Sequence, residues 1–292
     1  MFSIDEDNIK LHLEIVPVES LLQHEKVLPE SVDRLTFEFR NMVTLQNPII
    51  VDVNYLILDG NHRAYAFKKL GFRYIPVCRV DYFHESIRLK CWYRLVEGVK
   101  DPDHFEHFIK DMGGEYLQLK DKDMLVSTLE ENHLYLGIQT GDSYSVIRFD
   151  RRSVYDAVSA YDCVEVIQEE IIKKGVGLTY VPCDYVKEKE FKGPTQKNDF
   201  ILYTPHITKE MVIDAGKKRK IFAPKTTRHL IPARPLQVNV PASWFKEDIL
   251  CDELNHRLDQ FLRNKGLKRF GPGQVIDGRY YEEALYVFYD KD

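Results

Sequence analysis

The chain has little cysteine, no excess of basic residues and no long apolar run, and each shortage removes a class of function. Five cysteines, Cys78, Cys91, Cys163, Cys183 and Cys251, are scattered and odd in number, and none forms a C-x-x-C pair. That sets aside a disulfide scaffold and a zinc site of the usual spacing, and it predicts reduced thiols. Lys and Arg total 41 against 46 Asp and Glu, a formal net charge of −5. A dedicated nucleic-acid binder usually carries a basic excess, so nucleic acid is not an expected partner. No apolar stretch reaches membrane-spanning length, so no membrane association is expected. Asp5, Glu6 and Asp7 stand where a signal peptide would have a basic segment leading into an apolar one. The expected compartment is the cytoplasm.

What is present is an ordinary globular composition over 292 residues, enough for two or three cores. Leu11 to Val18 reads as a strand. Pro29 and Glu30 suit a first helical turn, and Val32, Leu35, Phe39 and Met42 recur at helical spacing behind them. Pro48 to Val53, Tyr55 to Leu58, Tyr74 to Val80 and Arg88 to Val96 read as strands, with a helix from Ala64 to Leu70 stopped by Gly71. Further on, Tyr116 to Leu119, Leu134 to Ile138 and Tyr144 to Phe149 suggest a separate meander. Val154 to Lys174, Thr208 to Lys218 and Asp248 to Asn264 suggest helices. Leu178 to Cys183 and Phe200 to Tyr203 suggest strands, flanking a polar loop from Lys187 to Lys197. Lys265 to Gly273 reads as a loop and Ala284 to Tyr289 as a closing strand. The predicted class is α+β. Expected domains are residues 1–100, a catalytic nucleotide-binding unit; 101–220, an additional α+β domain; and 221–292, a substrate-binding segment (221–241) followed by a helix–strand tail.

The strongest local signal is Leu58-Asp59-Gly60-Asn61-His62-Arg63. A glycine between a strand and a helix lets backbone approach a ligand, and the helix start offers unpaired N–H groups and a positive dipole end. His62 and Arg63 add donors, and Asp59 could hold a magnesium ion. A plain strand–helix turn with solvent-facing side chains is the competing reading. A basic run, Lys217 to Lys220, reads as a solvated helix end. The following Lys225, Arg228, His229 and Arg234 are interleaved with Pro224, Pro232 and Pro235, which restrict the chain more than a loose surface loop requires.

At this point a resemblance becomes visible. "LDGNHRAYAFKKLG" resembles the phosphate-binding segment of the ParB/sulfiredoxin-like superfamily. "VPVESLLQHEKV", "CWYRL" and "GKKRKIFAPKTTRHLIPARPL" resemble three segments of its free L-serine kinase branch, in the same order. The tail from about Asp248 resembles the longer, siderophore-cluster members. The resemblance implies a ParB/sulfiredoxin-like N-terminal domain and a kinase that converts L-serine to O-phospho-L-serine with ADP or ATP and magnesium.

Residue by residue, the resemblance implies that Glu25 is the general base, since a serine hydroxyl must lose its proton as the phosphoryl group arrives. It places Gly60, Asn61, His62 and Arg63 at the nucleotide phosphates, with Asp59 in a catalytic and magnesium-binding role. Glu30 is either a second functional glutamate or a carboxylate favoured by the helix dipole. Trp92 either walls the substrate pocket or fills a core. Lys225, Thr227, Arg228 and His229 are the substrate-binding set, Arg228 gripping a carboxylate with its fork. There are departures. Asn61 stands where archaeal members have histidine, and no serine occurs between Ser31 and Asn54, where they place a functional one. The alternative is a ParB-like, nucleotide-dependent DNA-binding or regulatory protein, which calls for a helix-turn-helix and a basic surface. A sulfiredoxin-type reductase would need cysteine where Asn61 stands.

Overall fold

The computed structural model describes residues 2–187, 191, 193–194 and 196–291. The polar loop expected from Lys187 to Lys197 therefore lies partly outside the described residues. The fold is α+β and divides into two compact units, residues 1–88 with 229–292, and residues 89–228. The chain thus leaves the first unit at Arg88 and re-enters it at His229, some distance from expected boundaries at 100 and 220. One strand and one helix explain the shift. Arg88–Glu97 pairs into the second unit's sheet, and the C-terminal helix packs on the first unit's sheet.

In the first unit, strands Phe2–Glu6, Ile9–Pro17, Tyr74–Arg79, Ile49–Val51 and Ile57–Asp59 lie side by side in that order. Ile49–Val51 runs parallel to Tyr74–Arg79; the other pairs are antiparallel. Ile15, Ile49, Val51, Ile75 and Val77 are all fully buried, as an apolar run covered on both faces requires. Helices Pro29–Phe39 and Asn61–Lys69 pack together. Phe67 sits at their centre, with ring centroids 5.5 Å from Phe39, 4.7 Å from Phe72 and 5.4 Å from Phe245. The first helix ends at Phe39, so Met42 falls outside it. Helix Cys251–Arg263 buries Leu254, Leu258 and Leu262 at helical spacing. Asn255 fixes its register by accepting from Ile15 N–H and donating to Ile15 C=O, both at 2.8 Å.

The stretch expected as a loop, Lys265 to Gly273, is instead a strand, Lys265–Phe270, antiparallel to Leu285–Asp290. Glycine read as a breaker misled here. A Cβ at Gly266 would lie 2.1 Å from the Tyr289 ring, so the glycine makes room for a cross-strand aromatic.

The second unit has strands Gly177–Pro182, Arg88–Glu97, Phe200–Tyr203, Leu136–Thr140, Ser143–Arg148 and Glu115–Leu119 in that order, all antiparallel. The expected separate meander is therefore the far half of one continuous sheet, joined through Phe200–Tyr203, a long-range pairing that local periodicity does not encode. Side-chain caps start its helices: Asp121 for Lys122–Glu131, Asp156 for Ala157–Lys173, and Thr208 for Lys209–Lys217. Among the described residues no helix is long and apolar enough to cross a membrane.

Candidate active site

In the first unit the phosphate turn is built as its residue types demand. Gly60 stands between strand Ile57–Asp59 and helix Asn61–Lys69 with φ 103°. A Cβ there would lie 2.5 Å from Ile49 Cγ2, so glycine is required by backbone and by space alike. No side chain caps this helix. Its first N–H groups and its positive dipole end therefore face the turn, as an anion site needs. Asn61 is buried, and its Oδ1 has no hydrogen-bond partner.

The charged residues of the turn are engaged within the protein. One Arg63 nitrogen donates to the carbonyls of Asn47, at 2.7 Å, and Pro48, at 3.0 Å, and the other lies 3.5 Å from Asp59 Oδ2. Arg234 donates to the same Asp59 oxygen and, through Nε, to Glu283 at 2.8 Å. Burial pushes the Asp59 carboxyl up, but the guanidiniums of Arg234, Arg63 and Arg279 outweigh it and hold it well below the usual carboxylate range. Asp59 is thus a fixed anion. Sequence reasoning gave Arg234 no role in the turn; its partner Asp59 lies 175 positions away.

His62 accepts from the backbone N–H of Leu28 through Nε2 at 2.9 Å, so in the neutral ring the proton sits on Nδ1. This bond ties the turn to the loop that carries Glu25. Leu22 of that loop also exchanges backbone hydrogen bonds with Tyr55 and Ile57, each 2.9 Å. Glu25 is buried, an environment far from that of a solvated loop carboxylate. Glu30 is exposed in the first turn of helix Pro29–Phe39.

Beside Glu25, His24 is fully buried, and its ring meets that of His229 edge-on at 5.9 Å. Tyr82, also buried, places its hydroxyl 2.7 Å from His229 Nε2. Burial lowers His24 to about 4, only partly offset by hydrogen bonding to the Ile57 backbone. Burial, then the neighbouring His24, lowers His229 to about 3. Both imidazoles are therefore neutral near pH 7. Tyr82 was not singled out from the sequence, because a lone tyrosine ahead of a loop carries no spacing signal.

The second unit gathers a cationic cluster on Trp92. Lys225 Nζ and the Arg228 guanidinium carbon each lie 5.5 Å from its ring. Trp92 Nε1 donates to the Thr227 carbonyl at 3.2 Å. Asp184 pairs with Lys90 and, at 3.4 Å, with Arg228. Burial raises the Asp184 carboxyl, but Lys90 and then Arg228 hold it below its ordinary value. Arg94 is wholly buried and donates to the carbonyls of Trp92 (2.7 Å), Lys225 (3.1 Å) and Pro224 (3.0 Å). It thereby holds Lys225 at φ 59°, in the left-handed region. Lys90, Arg94 and Asp184 were missed. An arginine within the apolar run Cys91 to Val96 was the available signal.

Thus Glu25, Asp59, Gly60, Asn61, His62, Arg63 and His229 belong to the first unit, and Trp92, Lys225, Thr227 and Arg228 to the second. The unit boundary divides the Thr-Arg-His triplet between Arg228 and His229. A cavity of about 470 Å³ in the second unit, walled in part by Leu134, Phe149, Met211 and Phe222, contains none of these residues. Among the described residues no three His, Cys, Asp or Glu side chains group as a metal site.

No family model matches the chain. It is similar to an ATP-dependent L-serine kinase of Staphylothermus marinus, 28% identical over 239 residues, covering 80% of this chain and 90% of that protein. The ADP-dependent L-serine kinase SerK of Thermococcus kodakarensis is 25% identical, over 77% of this chain and 86% of its own. The ATP-dependent L-serine kinase SbnI of Staphylococcus aureus is 24% identical, over 96% of this chain and 98% of its own. A solved free serine kinase in complex with AMP shares the fold, with a TM-score of 0.63 at 20% identity, covering 80% of this chain and 93% of that one. The chain is thus similar in sequence to proteins named L-serine kinases and in fold to a solved free serine kinase, in line with the resemblance of its four motifs.

Proposed function

We propose that this protein transfers the terminal phosphoryl group of ATP or ADP to the hydroxyl of free L-serine, giving O-phospho-L-serine. The observation that carries this reading is the uncapped helix start at Gly60, in a chain whose relatives are named L-serine kinases along most of their length. The serine oxygen attacks the terminal phosphorus, its proton passes to Glu25, and the bond to the leaving nucleotide oxygen breaks. Such a transfer asks mainly for positioning and charge stabilisation. The N–H groups after Gly60 would receive phosphate oxygens. Arg63 and Arg234 keep Asp59 ionised, and an ionised carboxylate suits a magnesium ion that arrives with the nucleotide, because magnesium there needs only one or two carboxylates besides the phosphates. In the second unit, the Arg228 fork fits the serine carboxylate, and Lys225 supplies charge beside it.

The test is direct. Purified protein is incubated with magnesium, L-serine and either ATP or ADP, and O-phosphoserine is read by mass spectrometry. Product with one donor supports the reading and names the donor. No product with either would overturn it.

A further inference from the structure

Tyr82 and His229 form a buried pair whose hydrogen bond decides which nitrogen of the histidine carries its proton. A neutral imidazole has one N–H and one lone pair, and the bond made at one nitrogen sets the role of the other. The phenolic hydroxyl is a good donor and the imidazole nitrogen a good acceptor, so at 2.7 Å the natural polarity is Tyr82 O–H donating to His229 Nε2. The proton of the ring then sits on Nδ1. That atom is buried and has no hydrogen-bond partner of normal geometry. The backbone of Leu58 also bears on the ring and favours its protonated form, as a carbonyl acceptor does. Leu58 directly precedes Asp59 and Gly60, so the unsatisfied nitrogen belongs to the neighbourhood of the phosphate turn. A buried donor left without a partner is costly, and a ligand oxygen would relieve it.

We propose that Tyr82 is a positioning residue that fixes His229 in the Nδ1–H form, so that the ring offers a neutral donor to an oxygen of the bound acceptor or of its product phosphate. The inference rests on the reading of His229 as a substrate-contacting residue. A neutral donor holds an anionic oxygen by direction alone, adds no net charge to the pocket, and is not switched by pH near neutrality.

Two measurements on the full chain test it. Nitrogen-15 spectra of histidine-labelled protein, with the His229 signals assigned by their loss in His229→Asn, report the tautomer directly. The expected result is a proton on Nδ1 and an accepting Nε2, unchanged between about pH 5 and pH 9. A proton on Nε2 would overturn the proposal, whatever the activity. In kinetics, Tyr82→Phe keeps the ring and removes only the hydroxyl. It should lower kcat/KM for L-serine about tenfold and leave the nucleotide KM unchanged, as expected for loss of one buried hydrogen bond. His229→Asn keeps an N–H near the position of Nδ1 and should retain more activity than His229→Gln, whose amide reaches toward the position of Nε2. Normal kinetics in Tyr82→Phe, or the reverse order of the two His229 variants, would also overturn it. Wild-type protein that makes no O-phosphoserine would count against the kinase reading instead, and the ring spectrum would still decide the tautomer.

Discussion

The two units hold their candidate groups by opposite means. In the first, the groups are buried and their charges are settled: Asp59 is compensated by arginines, and His24 and His229 are neutral. In the second, Lys225 and Arg228 gather on the face of a half-buried tryptophan, and Asp184 pairs with Arg228 and Lys90. The difference teaches how the proposed labour is divided. A buried pocket with settled charges can keep a base and phosphate donors in place without reorganisation, and a partly exposed cationic cluster can admit the carboxylate of a small acceptor and release it.

The sharpest break of that contrast is at Glu25. Glu25→Gln keeps the shape and removes the base, so turnover should fall roughly 10²–10⁴-fold with nucleotide affinity retained. Assays of O-phosphoserine formation with equilibrium nucleotide binding check it, and turnover within a few-fold of wild type would remove Glu25 from the mechanism. Next is Arg234→Met, which leaves Glu283 and part of the Asp59 charge buried without their partner. The expected loss is about 3–5 kcal/mol of stability, read by urea unfolding, against near-neutral effects for breaking exposed pairs such as Lys110–Glu106.

The neutral histidines make a prediction about acid. Their folded pKa values lie below the ordinary one, so between about pH 6.5 and pH 4 the unfolded chain binds more protons than the folded one. Stability is therefore full above pH 6.5 and falls as the pH drops through that window, by up to roughly 3 kcal/mol for one such ring. Unfolding curves across the window should flatten in His24→Asn, and an unchanged slope would show that His24 is not buried neutral. The smallest effect is expected in the second unit. Arg228→Lys keeps the charge and loses the fork, so KM for L-serine should rise about tenfold while nucleotide KM stays put. Ethanolamine, which lacks the carboxylate, should be a poor acceptor for wild type. Equal use of serine and ethanolamine would contradict carboxylate recognition by Arg228.

Much of this was legible because it is local. The strand–Gly60–helix turn is written in consecutive residues, since φ 103° and the contact with Ile49 demand glycine at one position. Helix starts at Pro29 and Thr208 follow from capping and proline chemistry, which act within one turn. The four motifs in order named the proposed chemistry. Where the reading failed, the cause was long-range. Lys265–Phe270 became a strand because Leu285–Asp290 pairs with it, and the supposed meander became half a sheet because Phe200–Tyr203 bridges to Arg88–Glu97.

By itself, then, the sequence determined the residue types at the turn, the loop glutamate, the tryptophan strand and the Thr-Arg-His segment, because each is a short stretch whose chemistry does not depend on distant neighbours. Only the tertiary structure decided their electrostatic states. Asp59 is fixed as an anion by Arg234 from the far end of the chain, His229 is neutral through burial against Tyr82 and His24, and Arg94 clamps Lys225 from another strand. A pKa and a tautomer are properties of what surrounds a group, and those surroundings exist only once distant segments have packed together.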